Sequence, residues 1–328
     1  MESEGDKIRE HVNSKVAQIL DENEFTKEGI PKSQGVIYGV SGRNASIDPI
    51  TIEKAQKRYN ESIGDGPKID DNQCMKTYIN PKEATNISID DVGVKKQVEH
   101  RQANEKKDLK YVRNTIVHVE NAKERYYLNA ENTAAVLPML VAFLLHNRLL
   151  NCFLEFFVDG ERGLHNTILS KLFWHKSFAL VLDWYHLMKK CEMELSLAIK
   201  GKDIRNKVLE DVLKWLWVGN IDYAGTLLKK VDPQYIKSPP NIEKLVGYFE
   251  RNRQFIPCYA LRKELGLRNS SNKGEKSNDL IVAERQKHNG MSWSTEGSVS
   301  LATVTALNMN KELHKWFSIG TIDFKLVS

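Results

Sequence analysis

Two short runs of mainly apolar and aromatic residues constrain the fold of this chain most. FLEFFV (Phe153–Val158) and FALVL (Phe178–Leu182) each stop at an aspartate, Asp159 and Asp183, and each leads into helical sequence. Runs of that length and composition read as buried strands and are too short to be helices. Two strands separated by a helix pair in parallel, because the helix carries the chain back across a face of the sheet. The chain is therefore expected to build a sheet covered by helices.

The residues before these runs enlarge the sheet. Ile87–Val94 reads as a strand ending in acids, YVRNTIVHV (Tyr111–Val119) as a second, and Arg125–Leu128 as a short third. Glu131–Leu150 reads as a long apolar helix, with Asn132 or Thr133 at its start and Pro138 as a tolerable kink. Arg162–Trp174 reads as the next helix, and after Leu182 helices follow almost without a break to Trp316. A three-strand meander followed by two crossover units is the order of the ribonuclease H fold. The expected class is thus α/β: a ribonuclease H-like mixed sheet flanked by helices, with an all-helical insertion and C-terminal helices. Residues 1–84 are expected to be a linker or partial region, with weak helices around Lys7–Leu20 and Ile52–Ser62 and a loop from Pro31 to Pro49. The core is expected over 85–200, the insertion over 201–265, and helices completing the core over 266–328. Within the insertion, Leu209, Val212, Leu213, Leu216 and Trp217 form one apolar stripe, which is normally core.

The charge is uneven. The net formal charge is +5, yet Lys229–Lys276 alone holds 11 Lys/Arg against 5 Asp/Glu, so the remainder is near neutral. A concentrated basic stretch suits a polyphosphate partner, and equally suits a solvated helical surface. Cys74, Cys152, Cys191 and Cys258 lack metal-finger spacing. Met1–Glu10 is too charged for a secretory leader, and Ala134–Leu145 is too short to span a bilayer. A reducing, cytoplasmic setting without a membrane is expected.

Strand ends are where an open α/β sheet places its chemistry. Asp90 closes the first strand and Asp159 the fourth, neighbours in the proposed order. Two carboxylates meeting there could hold a pair of divalent cations about 4 Å apart across a phosphate. Magnesium accepts oxygen ligands and keeps some waters, so few carboxylates suffice. The plainer reading of such an Asp is a turn residue or helix cap. Asp91 follows Asp90 directly; alternation lets only one of them face the cations, and the pattern alone does not choose.

Four segments resemble the catalytic region of bacterial insertion-sequence transposases of the DDE class. ISIDDVGV (Ile87–Val94) is similar to their first-strand motif, and FFVDGERGL (Phe156–Leu164) to the turn holding their second acid. LVLDWYHLMKK (Leu180–Lys190) resembles their Asp-x-x-His signature, here Asp183 and His186. SSNKGEKSNDLIVAERQKHNGMSW (Ser270–Trp293) resembles the block of the last acid, with Glu275, Arg285 ten residues on, and Gly290-Met291-Ser292-Trp293. Ser270-Ser271-Asn272 stands where that block has Gly-Ser-Gly, which leaves the backbone less freedom.

The resemblance implies a metal-dependent enzyme that cuts element ends and transfers the strand to target DNA. Asp90, Asp159 and Glu275 would be both the catalytic residues and the ligands of two Mg²⁺ ions, with Mn²⁺ as a substitute. Asp91, Asp183, Trp184, His186 and Arg285 would lie near the site and place the DNA. Lys189, Lys190, Arg262, Lys263, Arg268, Lys273 and Lys276 are the candidates for phosphate contact. The implied partners are double-stranded DNA at element ends and target, in the bacterial nucleoid, and further copies of the chain assembled on that DNA. The family's large N-terminal DNA-recognition region has no counterpart in residues 1–84. A catalytically inactive DNA-binding derivative and another ribonuclease H-fold nuclease therefore stand as the alternatives.

Overall fold

The computed structural model describes residues 3–33, 38–39, 45–97, 111–271, 276–287 and 290–328. Five strands form one mixed sheet: β1 (Ala84–Lys95), β2 (Tyr111–Asn121), β3 (Glu124–Ala130), β4 (Phe153–Val158) and β5 (Phe178–Leu182). Their spatial order is β3-β2-β1-β4-β5. β1, β2 and β3 pair antiparallel as a meander, whereas β4 lies parallel to β1 and β5 parallel to β4. The expected mixed sheet flanked by helices is what the chain builds. β4 and β5 carry side chains buried on both faces, which is why they read as near-continuous apolar runs.

The main helices among the described residues are α1 (Glu4–Glu22), α2 (Pro49–Ser62), α3 (Thr133–His146), α4 (Arg162–Lys171), α5 (Trp184–Ala198), α6 (Lys202–Trp217), α7 (Ile221–Lys229), α8 (Pro239–Arg251), α9 (Tyr259–Glu264), α10 (Thr295–Met309) and α11 (Leu313–Ile319). α3 starts after Asn132, whose side chain accepts the Ala135 N–H at 2.9 Å, and stops at His146, short of the expected Leu150. Asn147 ends it, its amide donating to the Phe143 carbonyl at 2.8 Å. α4 stops at Lys171 rather than Trp174. The helical run expected almost without a break also lapses at 267–271, which is neither helix nor strand. Among the described residues no helix is long and apolar enough to cross a membrane.

Residues 4–22 are core, not linker. Ser3 caps α1, and Ile8, Val12, Val16, Ile19 and Leu20 are buried along one stripe of it. The helix approaches α10 so closely that a Cβ at Gly5 would sit 2.6 Å from the Ser300 carbonyl oxygen. Only glycine permits that approach. α2, capped by Asp48 and started by Pro49, packs Ile52 and Ala55 with Tyr78, Cys258 and Leu261. The inserted helices are not a separate body either: Val212, Leu216, Leu245 and Phe249 belong to the same buried cluster as the strands of the sheet.

Candidate active site

The parallel register brings two acids level. Ser88 faces Phe157 across β1 and β4, so two places further on Asp90 comes opposite Asp159. One place beyond the Val158–Leu182 pair, Asp183 takes the same level on β5, its N–H donating to the Val158 carbonyl at 2.9 Å. Three aspartates from adjacent strands thus share one level of the sheet, just past the ends of β4 and β5 but within β1, which runs on to Lys95 instead of closing at Asp90 as expected.

Asp90 and Asp91 part as alternation requires. Asp91 is exposed, accepts the Thr115 hydroxyl and lies 3.9 Å from the Arg113 guanidinium. Asp90 is half-buried; one carboxylate oxygen accepts the Asp91 N–H at 2.8 Å and the other accepts the Asn278 amide. Burial pushes the Asp90 carboxyl up to about 6; the Asp159 charge adds to the push, while the His186 charge and the Asp91 N–H oppose it. Two carboxylates and an imidazole therefore act on one another across this strand end. The Asp91 charge adds a smaller upward push on Asp90, although its own carboxylate is taken up by Thr115 and lies beside Arg113.

Asp159 sits in a turn that only glycine could follow. Its side chain accepts the Glu161 N–H at 2.8 Å, and its carbonyl accepts the Tyr248 hydroxyl at 3.1 Å. Gly160 has φ +86°, and a Cβ there would lie 2.2 Å from the Tyr248 oxygen. The turn reading of Asp159 is thus correct for one of its oxygens and compatible with a site role for the carboxylate.

Asp183 has a different task from the other two. It is 1% exposed, and one oxygen caps α5 by accepting the Tyr185 N–H at 2.7 Å and, more weakly, the His186 N–H. The other accepts both the backbone N–H and the hydroxyl of Ser271, the latter at 2.7 Å. Asp183 therefore ties the strand end and α5 to the segment running into residues 272–275. Its carboxylate is fully occupied by these bonds, so it positions protein rather than DNA. Asp183→Asn leaves one acceptor oxygen to serve two sets of donors, and is expected to cost about 1.5–3 kcal/mol. Urea denaturation of the variant measures it.

Glu275 and Lys273 lie outside the described residues. The helical segment is described from Lys276 onward, and it includes a π-turn at Asp279–Ala283. Such turns are frequent at functional sites. Asn278, buried in this segment, is the residue that reaches Asp90. The segment is anchored by the Gly-Met-x-Trp block. Trp293 donates its N–H to the Lys95 carbonyl at 2.9 Å, accepts the Gln97 N–H at 2.9 Å, and donates its indole N–H to the Gln286 carbonyl at 3.1 Å. Gln286 in turn exchanges hydrogen bonds with Ser298, which accepts the Asn114 amide at 2.7 Å. The motif is thus a clamp between β1 and the helix of the last block. Arg285 projects from that helix into solvent.

The expected DNA contacts divide. Trp184 packs edge-on to Trp217 and against Tyr259, with ring centres 4.8 Å apart in both pairs, so it fills an aromatic cluster rather than standing ready for a base. Tyr185 is 36% exposed, with the Lys189 ammonium 5.3 Å from its ring centre. Lys189, Lys263 and Lys276 are exposed, Lys189 with its ammonium 3.2 Å from the Glu192 carboxylate. Arg262 is not: it is buried and holds Glu155 through two bonds of 2.8 and 2.9 Å. Arg268 is committed to Glu120, and Lys190 lies 2.8 Å from the buried Glu194. Arg262, Arg268 and Lys190 are therefore internal partners of acids, and much of the basic excess over Lys229–Lys276 is neutralised inside the protein.

Sequence reasoning missed Asn278, Tyr248 and Ser271. Asn278 could have been found, since it falls only three residues after Glu275 in the sequence, but Tyr248, on an inserted helix, left no signal. Among the described residues no group of three or more His, Cys, Asp or Glu side chains could hold a metal ion. The donor set that is described, Asp90 with Asp159, fits a divalent cation in kind: hard oxygen ligands forced together, one of them poorly solvated. Comparison with known protein families, with curated proteins and with solved structures finds no match for this chain.

Proposed function

We propose that this chain cuts and rejoins DNA as a DDE transposase on a ribonuclease H-like core, with Asp90, Asp159 and Glu275 as its metal-binding acids. The observation that carries the reading is the meeting of Asp90 and Asp159 on adjacent parallel strands, their charges interacting, while the helix of the last motif block reaches Asp90 through Asn278. The strand order β3-β2-β1-β4-β5, with a meander followed by two parallel crossovers, is the order this reading requires.

Asp90, Asp159 and Glu275 would hold two Mg²⁺ ions. Bound there, such ions supply an activated water or 3′-hydroxyl and a stabilised leaving oxygen. The chain's own groups do the rest. Asn278 and the Asp91 N–H fix the Asp90 carboxylate, and the Glu161 N–H fixes that of Asp159. Tyr185 and Lys189, exposed on the first turns of α5, present a ring and a cation to the DNA strand.

The test uses purified protein, Mg²⁺, and labelled duplexes carrying the sequences that flank its reading frame. Expected are strand cuts that leave 3′-hydroxyls, followed by joining of those ends to a second duplex, both abolished by EDTA. Cutting without joining would replace this reading with a simple nuclease. Absence of both, together with no Mn²⁺ binding by electron paramagnetic resonance, would end it.

A further inference from the structure

We propose that the cleft between the start of α4 and the end of α8, next to Asp159, is a subsite for a backbone phosphate of the bound nucleic-acid strand, held by Arg162 and Arg251. The identity of the ligand rests on the strand-cutting reading above; the anion-binding character rests on the cleft itself. The cleft measures about 290 Å³, and its walls include Gly160, Arg162, His165, Asn166, Arg251 and Gln254. Among the described residues no acidic side chain lines it.

Its two arginines are exceptional in their surroundings. Arg253, two residues from Arg251, is neutralised by Asp222 at 2.6 Å and Glu250 at 2.8 Å. Lys190 and Lys244 share Glu194, Arg262 holds Glu155, and Arg268 holds Glu120. Arg162 and Arg251 are exposed and have no ion pair among the described residues. Two guanidinium groups at one acid-free cleft repel each other unless an anion lies between them, and the planar guanidinium matches a phosphate through paired N–H donors.

A second observation is independent of those charges. His165 is 4% exposed, and its Nε2 has no hydrogen-bond partner among the described residues. Its ring stands edge-on to Phe255, with centres 4.6 Å apart, at the back of the same cleft. A buried polar atom left unbonded costs free energy, and in a native protein it calls for a partner from outside the chain. A phosphate oxygen, or a water that such an oxygen orders, meets that need. α4 adds the positive end of its dipole, and its cap residue Glu161 makes no side-chain bond to the first turn, so those N–H groups are not consumed locally.

The location suits a strand that passes the acids. Gly160 both lines the cleft and follows Asp159, and the Tyr248 hydroxyl on the Asp159 carbonyl locks α8 to that turn. A phosphate in the cleft would therefore be held at a fixed offset from the one at Asp90 and Asp159.

The test compares wild type, Arg162→Ala/Arg251→Ala and Arg253→Ala. Affinity for a fluorescein-labelled duplex is measured without metal as NaCl is varied. The double variant is expected to bind about tenfold more weakly, with the slope of log K against log salt shallower by about 0.9 for each phosphate the protein no longer neutralises. Arg253→Ala is expected to lose clearly less than the double variant, because its guanidinium is held by Asp222 and Glu250 rather than offered to the strand. Unchanged binding by the double variant, an equal loss in Arg253→Ala, or no duplex binding by wild type would each overturn the subsite. If the expected pattern appears and wild type still neither cuts nor joins DNA, the subsite stands and the transposase reading falls.

Discussion

Asp159→Asn is expected to remove strand cleavage almost completely, by more than about 100-fold, while the protein stays folded. A hundredfold is the upper range for losing a partner one shell outside a metal, and the proposed role of Asp159 is closer than that. Asparagine keeps the oxygen that accepts the Glu161 N–H, so the turn with Gly160 at φ +86° survives. What disappears is the negative charge. That loss has a second readout without any substrate. The Asp159 charge contributes to holding the Asp90 carboxyl at about 6, behind burial itself. In metal-free Asp159→Asn, NMR titration should find Asp90 shifted back toward, though not to, the ordinary carboxyl value of about 3.9. The sign for stability follows. A folded-state value above the unfolded one means that the native protein binds the proton more tightly, so the contribution of Asp90 to metal-free stability is fully present below about pH 4 and is lost as pH rises from about 4 to 6. Added Mg²⁺ should flatten that decline, and Asp90→Asn should abolish it. Cleavage that persists in Asp159→Asn would remove the acid from the reaction, whatever the titration showed.

The strands were legible because burial leaves its mark on residue choice. β4 lies inside the sheet and β5 at its edge, but both are buried over most of their length, so nearly every position is apolar and both bounds could be read from the sequence. Helix ends were less legible because the stop signals at Asn147 and after Lys171 are local hydrogen bonds within a run that stays apolar beyond them. α1 was undervalued for another reason. Its stripe of Ile8, Val12, Val16 and Ile19 is diluted by charges on the other faces, and its place in the core depends on α3 and α10, more than a hundred residues away. The site divides in the same way. Asp159 and Asp183 stand at strand ends as read, whereas Asp90 lies within β1, and alternation gives Asp90 and Asp91 different partners. The basic residues misled because sequence counts charge without showing partners. Glu155 lies 107 residues from Arg262, and Glu120 lies 148 from Arg268. No local pattern could reveal that these cations face inward.

Arg262→Ala is the substitution expected to damage the fold most, by about 3–5 kcal/mol, because it leaves the Glu155 carboxylate buried in mid-sheet without its counter-charge. The pair is bidentate, at 2.8 and 2.9 Å, with both residues about 5% exposed, and exchange of the pair for hydrocarbon is a different matter from breaking it. Glu155→Leu/Arg262→Met should therefore recover most of the lost stability. It should not recover activity. Arg262 also donates to the Arg268 carbonyl at 2.9 Å, and Arg268 grips Glu120, so the two arginines pin the non-helical stretch 267–271 that Ser271 closes. Methionine cannot make that bond. Urea denaturation separates the single from the double variant, and hydrogen exchange over residues 266–271 should show faster exchange in both. A single variant that loses less than about 1 kcal/mol would mean that water reaches Glu155, and the ion pair would then be a surface contact in effect. If the double variant is stable, exchanges slowly over 266–271 and still cuts DNA, the tether has no part in placing the last acid, and Asp183 alone must hold that segment through Ser271.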